Sequence, residues 1–98
     1  MLVSAVMLNY NSKYFPKMCV EAFYRADMEG VPFEFIAVDN ASTENISLGY
    51  LEKAEEKGLV RLVRSKRNLG FGGGNNLGAT QSRGKYILIL NPDIFVGE

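Results

Sequence analysis

The sequence has no histidine, no tryptophan, one cysteine, three prolines and no net charge, with 11 basic residues against 11 acidic ones in a chain of 98. Each shortage closes a class of function. Without histidine there is no imidazole acid–base chemistry, no Ser-His-Asp triad and no Cys₂His₂ zinc site. A single cysteine rules out an internal disulfide framework and fits a reducing compartment, so a cytoplasmic location is expected. A balanced charge lacks the electrostatic footprint of a nucleic-acid binder, and no nucleic-acid partner is expected. No apolar run is long enough to cross a bilayer. Leu2 to Leu8 is short, lacks a basic flank and reads neither as a signal peptide nor as a transmembrane segment; contact with a membrane surface would fall to other parts or partners.

What is present is a globular composition, 47% hydrophobic and 22% charged, sized for one small domain rather than a disordered tail. Its chemistry has to come from Asp, Glu, Asn, Tyr, Gly and a hard metal ion. Leu2 to Leu8 reads as a buried strand closed by Asn9-Tyr10-Asn11. Ser12 is positioned to cap a helix with Pro16 in its first turn, and Phe15, Met18, Cys19, Ala22, Phe23 and Ala26 form its apolar face. Cys19 is therefore a small core residue rather than a nucleophile.

Phe33 to Val38 is a second strand ending on Asp39-Asn40. Ser42, Thr43 and Ser47 offer caps for a helix carrying Leu48, Leu51 and Ala54, stopped at Gly58. Leu59 to Val63 reads as a third strand, Ser65 to Gly74 as a glycine-rich loop, Asn75 to Ser82 as a short helical stretch and Tyr86 to Leu90 as a fourth strand. The order βαβαβαβ predicts an α/β fold: a Rossmann-like parallel sheet with helices on both faces. Such sheets bind ligands outside the carboxyl ends of their strands. The polar clusters fall there, at Asn9-Tyr10-Asn11, at 39–42, at 68–76 and at Asn91-Pro92-Asp93.

Known fingerprints fail on spacing. Gly70-Phe71-Gly72-Gly73-Gly74-Asn75 has Asn at the third glycine of a dinucleotide motif and lies in the third unit instead of the first. Gly78 to Gly84-Lys85 has one residue too many for a phosphate-binding loop, and Tyr86 where Ser or Thr should hold magnesium. The glycines still allow close backbone approach to a ligand, and the asparagines around them favour a ligand-facing loop over a plain turn. Asp39 either accepts hydrogen bonds from a base or ribose or caps the Ser42 turn. Tyr10 either stacks on a base or packs in the core. Asp93 alone makes a poor metal site unless a diphosphate supplies further oxygens to Mg²⁺ or Mn²⁺.

The stretches Val3–Asn11, Val38–Thr43, Asn68–Asn76 and Leu90–Asp93, in that order, resemble the nucleotide-binding half of family 2 glycosyltransferases with the GT-A fold, especially the rhamnosyltransferase-like branch. The resemblance covers the whole chain, 1–98, as a nucleotide-sugar-binding portion. It implies the strand order 3-2-1-4. Leu8, Tyr10, Asn11, Asp39, Asn40 and Ser42 would hold base and ribose, with Tyr10 against the base and Asp39 accepting from its ring N–H. Asn68, Gly70 and Asn75 would line the pocket. Asn91-Pro92-Asp93 takes the place of the family's Asp-x-Asp motif, so Asn91 would touch ribose and Asp93 alone would ligate Mg²⁺ or Mn²⁺.

The implied activity is inverting transfer of a sugar from dTDP-rhamnose or a UDP-sugar to an acceptor hydroxyl, in cell-wall or polysaccharide assembly. The base that deprotonates the acceptor would lie beyond Glu98, so these 98 residues are expected to bind donor without turnover. A non-catalytic module of the same fold, binding nucleotide or protein, is the alternative. In this order strand 86–90 forms an apolar edge, and either self-association through it or marginal solubility is expected.

Overall fold

The computed structural model describes residues 2–26 and 29–90. Seven elements alternate: β1 (Val3–Asn9), α1 (Phe15–Arg25), β2 (Phe33–Asp39), α2 (Asn45–Glu56), β3 (Arg61–Arg64), α3 (Gly70–Gln81) and β4 (Tyr86–Leu90). The strands form one sheet in the order β3-β2-β1-β4, and every pair is parallel. This is the expected architecture and strand order.

Strand periodicity divides the core into two layers. Ala5 and Met7 of β1 and Phe35 and Ala37 of β2 meet Cys19, Val20 and Phe23 of α1 and Leu51 and Ala54 of α2. On the other face Val6, Ile36 and Val38 pack under Leu77 of α3. Met7, Val6 and Ile36 are fully buried, and each contributes roughly 1.5–3 kcal/mol by leaving water. Phe23 stands edge-on to Phe33 and Phe35, both with ring centroids at 5.1 Å. Cys19 is buried, and burial pushes its thiol up to about 11, which makes it an inert packing residue.

Several sequence expectations need correction. Ser12 does not cap α1: Tyr14 occupies the N-cap without a side-chain bond, and Ser12 Oγ donates to Tyr10 O. The buried face of α1 is Pro16, Cys19, Val20 and Phe23, while Met18 is 45% exposed and Ala26 is exposed. The cap of α2 is Glu44, whose side chain accepts from Ser47 N, rather than Ser42, Thr43 or Ser47. Strand β3 begins two residues later than expected, because Leu59 N closes the end of α2 on Ala54 O.

The largest difference is the glycine run, which is helical from Gly70 onward. Tertiary packing overrides propensity there. A methyl group at Gly74 would overlap Leu8 Cδ1, and one at Gly78 would overlap Val6 Cγ1. These two glycines, one turn apart on the same face, let α3 lie directly on the sheet. Part of the glycine richness therefore serves packing.

The two edges of the sheet differ. β3 is short and flanked by Arg61 and Arg64, with ion pairs to Glu34 and Glu52. β4 exposes Tyr86, Ile87, Leu88 and Ile89. Asn91, Asp93 and Glu98 lie outside the described residues.

Candidate functional site at the carboxyl ends of β1 and β2

Asn9 and Asp39 are register partners, the last residues of adjacent parallel strands. Both are buried, and Asn9 Nδ2 donates to Asp39 Oδ1 at 2.9 Å. The other carboxylate oxygen, Oδ2, accepts from Ser42 N at 3.0 Å. Asn9 Nδ2 also approaches Ser47 Oγ at 3.0 Å and Ser42 Oγ at 3.3 Å. Ser47 Oγ in turn donates to Glu44 Oε1 at 2.7 Å. Burial pushes the Glu44 carboxyl up, but hydrogen bonds from Ser47 N and Oγ, with the N–H groups of Lys13 and Ile46, outweigh it and leave the group below the usual range.

The loops after β1 and β2 are tied to each other. Ser42 Oγ accepts from Asn11 N at 2.9 Å, and Asn11 Oδ1 accepts from Thr43 N at 2.8 Å and Glu44 N at 3.2 Å. Asn11, Lys13 and Ala41 adopt positive φ of 48°, 54° and 68°. For the lysine and alanine this left-handed backbone costs on the order of 1–2 kcal/mol each. The cross-ties between the two loops hold that strain in place.

Asn40 attaches the third segment. Its Oδ1 accepts from Leu69 N at 2.8 Å, and its Nδ2 donates to Gly70 O at 3.0 Å. Asn68 Oδ1 accepts from Gly70 N at 2.7 Å, and Gly70 itself has φ +75°. The start of α3 is thus anchored on the end of β2.

Hydrogen bonds therefore bring Asn11, Asp39, Asn40, Ser42, Asn68 and Gly70 together. Leu8 is half-buried beside Gly74, as a packing residue under α3. Tyr10 is 47% exposed, so it is not a core residue, and its ring is open to a ligand. Asn75 sits in the second turn of α3, and its buried Oδ1 has no partner among the described residues. A cavity of about 290 Å³ lined by Asn11, Ser12, Lys13, Tyr14 and Phe15 opens beside these loops. An apolar cavity of similar size lies between α1 and α2, lined by Val20, Tyr24, Tyr50 and Ala54, away from the strand ends.

The sequence places Asn9 in the strand-end cluster but not as the buried centre of this network, and it does not mark Glu44 or Ser47 as members. A signal for Asn9 was present: it continues the inward positions Ala5 and Met7, so it falls on the buried face rather than in a turn. Among the described residues no group of three or more His, Cys, Asp or Glu side chains could hold a metal ion. The expected ligand, Asp93, lies outside them.

The model of the glycosyl transferase family 2 matches residues 4–97 of this chain. An uncharacterized glycosyltransferase, MJ1057, of Methanocaldococcus jannaschii is 32% identical over 94 residues, covering 94% of this chain and 32% of its own length. Staphylococcus aureus TarS 1–349 in complex with UDP-GlcNAc superposes with a TM-score of 0.83 at 26% identity, over 95% of this chain and 27% of that one. A mannosyltransferase of Pyrobaculum calidifontis, solved with GDP-Man and Mn²⁺, shares the fold with a TM-score of 0.80 at 22% identity, over 93% of this chain and 27% of that one. The chain spans between 10% and 32% of the length of the curated relatives it matches. Among the described residues no helix is long and apolar enough to cross a membrane.

Proposed function

The chain belongs to glycosyl transferase family 2, and from that premise we propose that its carboxyl edge binds the nucleotide of a nucleotide-diphosphate sugar, as the donor half of an inverting glycosyltransferase. One observation carries the proposal. Three segments distant in sequence, 9–11, 39–44 and 68–70, are locked together at the end of the sheet where parallel α/β folds take ligands. Asp39 keeps lone pairs beyond the two it gives to Asn9 and Ser42, and these suit a base ring N–H. The exposed Tyr10 ring offers a stacking face, and the side-chain Nδ2 of Asn11, unpaired among the described residues, a donor to ribose.

UDP is the first nucleotide to test, because TarS is a neighbour solved with UDP-GlcNAc. The rhamnosyltransferase-like resemblance keeps dTDP-rhamnose as the second. A divalent cation, Mg²⁺ or Mn²⁺, would be held through Asp93 and would supply charge neutralisation on the diphosphate. The described residues contribute base and ribose contacts, not metal ligation.

Calorimetric titration of UDP, dTDP and GDP with and without Mn²⁺ tests this reading. Binding of at least one nucleotide is expected, tightened by the metal and weakened at least tenfold (about 1.4 kcal/mol) by Asp39→Ala, with the metal dependence lost in Asp93→Ala. Failure of all three nucleotides to bind defeats it. The exposed β4 residues support a further part of the proposal, pairing with a second copy of this chain. Light scattering at high concentration should then show a dimer or larger species that Leu88→Lys dissolves; a monodisperse monomer contradicts the pairing.

A further inference from the structure

We propose that Asn9 is a positioning residue that fixes the Asp39 carboxylate in its ligand-accepting orientation; the proposal rests on the nucleotide-binding reading above. Asn9 is fully buried. Three oxygens, Asp39 Oδ1, Ser47 Oγ and Ser42 Oγ, surround its Nδ2 at 2.9, 3.0 and 3.3 Å. That arrangement forces the carbonyl end of the amide away from the carboxylate, and Asn9 Oδ1 is left buried with no partner among the described residues. An unpaired buried acceptor is costly, so the side chain sits in an orientation that satisfies Asp39 at its own expense. Through Ser47 Oγ and Glu44 Oε1 the same amide also connects Asp39 to the first turn of α2.

Among the described residues, the charged groups linked to Asn9 are Asp39 on β2, bonded to it directly, and Glu44 at the start of α2, reached through Ser47 Oγ. Arg64 of β3 lies beyond Asp39 in the register and pairs with Glu52. Among the described residues, Asp39 is the only charged group hydrogen-bonded to the Asn9 amide. A carboxyl in place of the amide mimics it when protonated, and when ionised it repels Asp39 across roughly 3 Å.

Asn9→Asp and Asn9→Ala provide the test, with UDP affinity followed between about pH 6 and about pH 8.5. Because the terminal phosphate of UDP itself titrates near the acid end of this range, each variant is read as its ratio to wild type at the same pH. Asn9→Asp should bind within about threefold of wild type at the acid end and lose at least about tenfold toward the alkaline end; Asn9→Ala should lose about tenfold throughout. Asn9→Ala, which carries no new carboxyl, should keep the wild-type pH profile, so the added pH dependence of Asn9→Asp reports charge placed beside Asp39. A second readout needs no nucleotide. Amide hydrogen exchange at Ser42, whose N–H rests on Asp39 Oδ2, should accelerate about tenfold in Asn9→Ala while Gly84 N–H is unchanged.

Wild-type affinity in both variants together with unchanged Ser42 exchange overturns the proposal. Faster Ser42 exchange in a protein that binds no UDP supports the positioning role and overturns the nucleotide reading instead.

Discussion

Two ends of the same sheet each hold a carboxylate, and they hold it differently. At the amino end Glu34 accepts from Ser4 Oγ at 2.5 Å, Arg83 N at 2.6 Å and Arg61 at 3.2 Å. Gly84 N closes the cluster on Ser4 Oγ at 2.7 Å, and Arg61 also reaches Gln81 O. Both carboxylate oxygens are paired, and the turn from α3 into β4 is pinned flat against the sheet. At the carboxyl end Asp39 is held as firmly, yet the surrounding loops carry the positive-φ residues Asn11, Lys13 and Ala41, and Asn9 Oδ1 is left unpaired among the described residues. Buried polar density alone does not mark a site. Strain and unused hydrogen-bonding capacity beside it do, and among the described residues only the carboxyl end has them.

The sharpest way to break this contrast is Gly84→Ala. Its Cβ would stand 2.5 Å from Ser4 N and 2.8 Å from Val3 C, backbone atoms that cannot step aside. A loss of about 3 kcal/mol in urea unfolding is expected, with the nucleotide affinity of the folded fraction unchanged. Ser42→Ala, at the other end, should show the reverse. Losing its bonds with Asn11 N and Asn9 costs about 1 kcal/mol of stability, while UDP affinity falls about tenfold.

The smallest effect concerns acid. Burial pushes the Glu34 carboxyl up, but the bonds from Ser4, Arg83 N and Arg61, with the guanidinium charge, more than reverse it and set the group below its usual range. A carboxyl lowered on folding stabilises the protein above the unfolded-state pKa. That contribution is lost as pH falls through the lowered folded value. Glu34→Gln should therefore flatten the acid limb of a stability-against-pH curve. An unchanged acid limb would mean that the clamp carries no charge-dependent stability.

Much of this architecture is legible in the sequence, because strand alternation and turn residues are local signals. Tyr86 to Leu90 has the bounds expected of it, and the βαβ alternation dictates the parallel sheet. What was not legible depends on close approach. Nothing local in Gly70 to Gly74 says helix; the reason for it is Leu8 and Val6 beneath Gly74 and Gly78, in a different strand. Glu44 as a cap escaped notice because glutamate is not a favoured N-cap residue. The carboxyl-edge residues Asn11, Asp39, Ser42, Asn68 and Gly70 were readable from their positions after strands. Asn9, the residue that organises them, looked like the first of a turn and is instead the last of a strand.

The central claim is that nucleotide binds at the carboxyl edge and that the amino-end cluster is structural. Amide shift mapping by two-dimensional NMR during a UDP titration tests it most directly. UDP should move the amide signals of Asn11, Ser42, Thr43, Leu69 and Gly70, and leave those of Arg83 and Gly84 in place. Shifts concentrated at Arg83 and Gly84, or no shifts at saturating UDP, would contradict it.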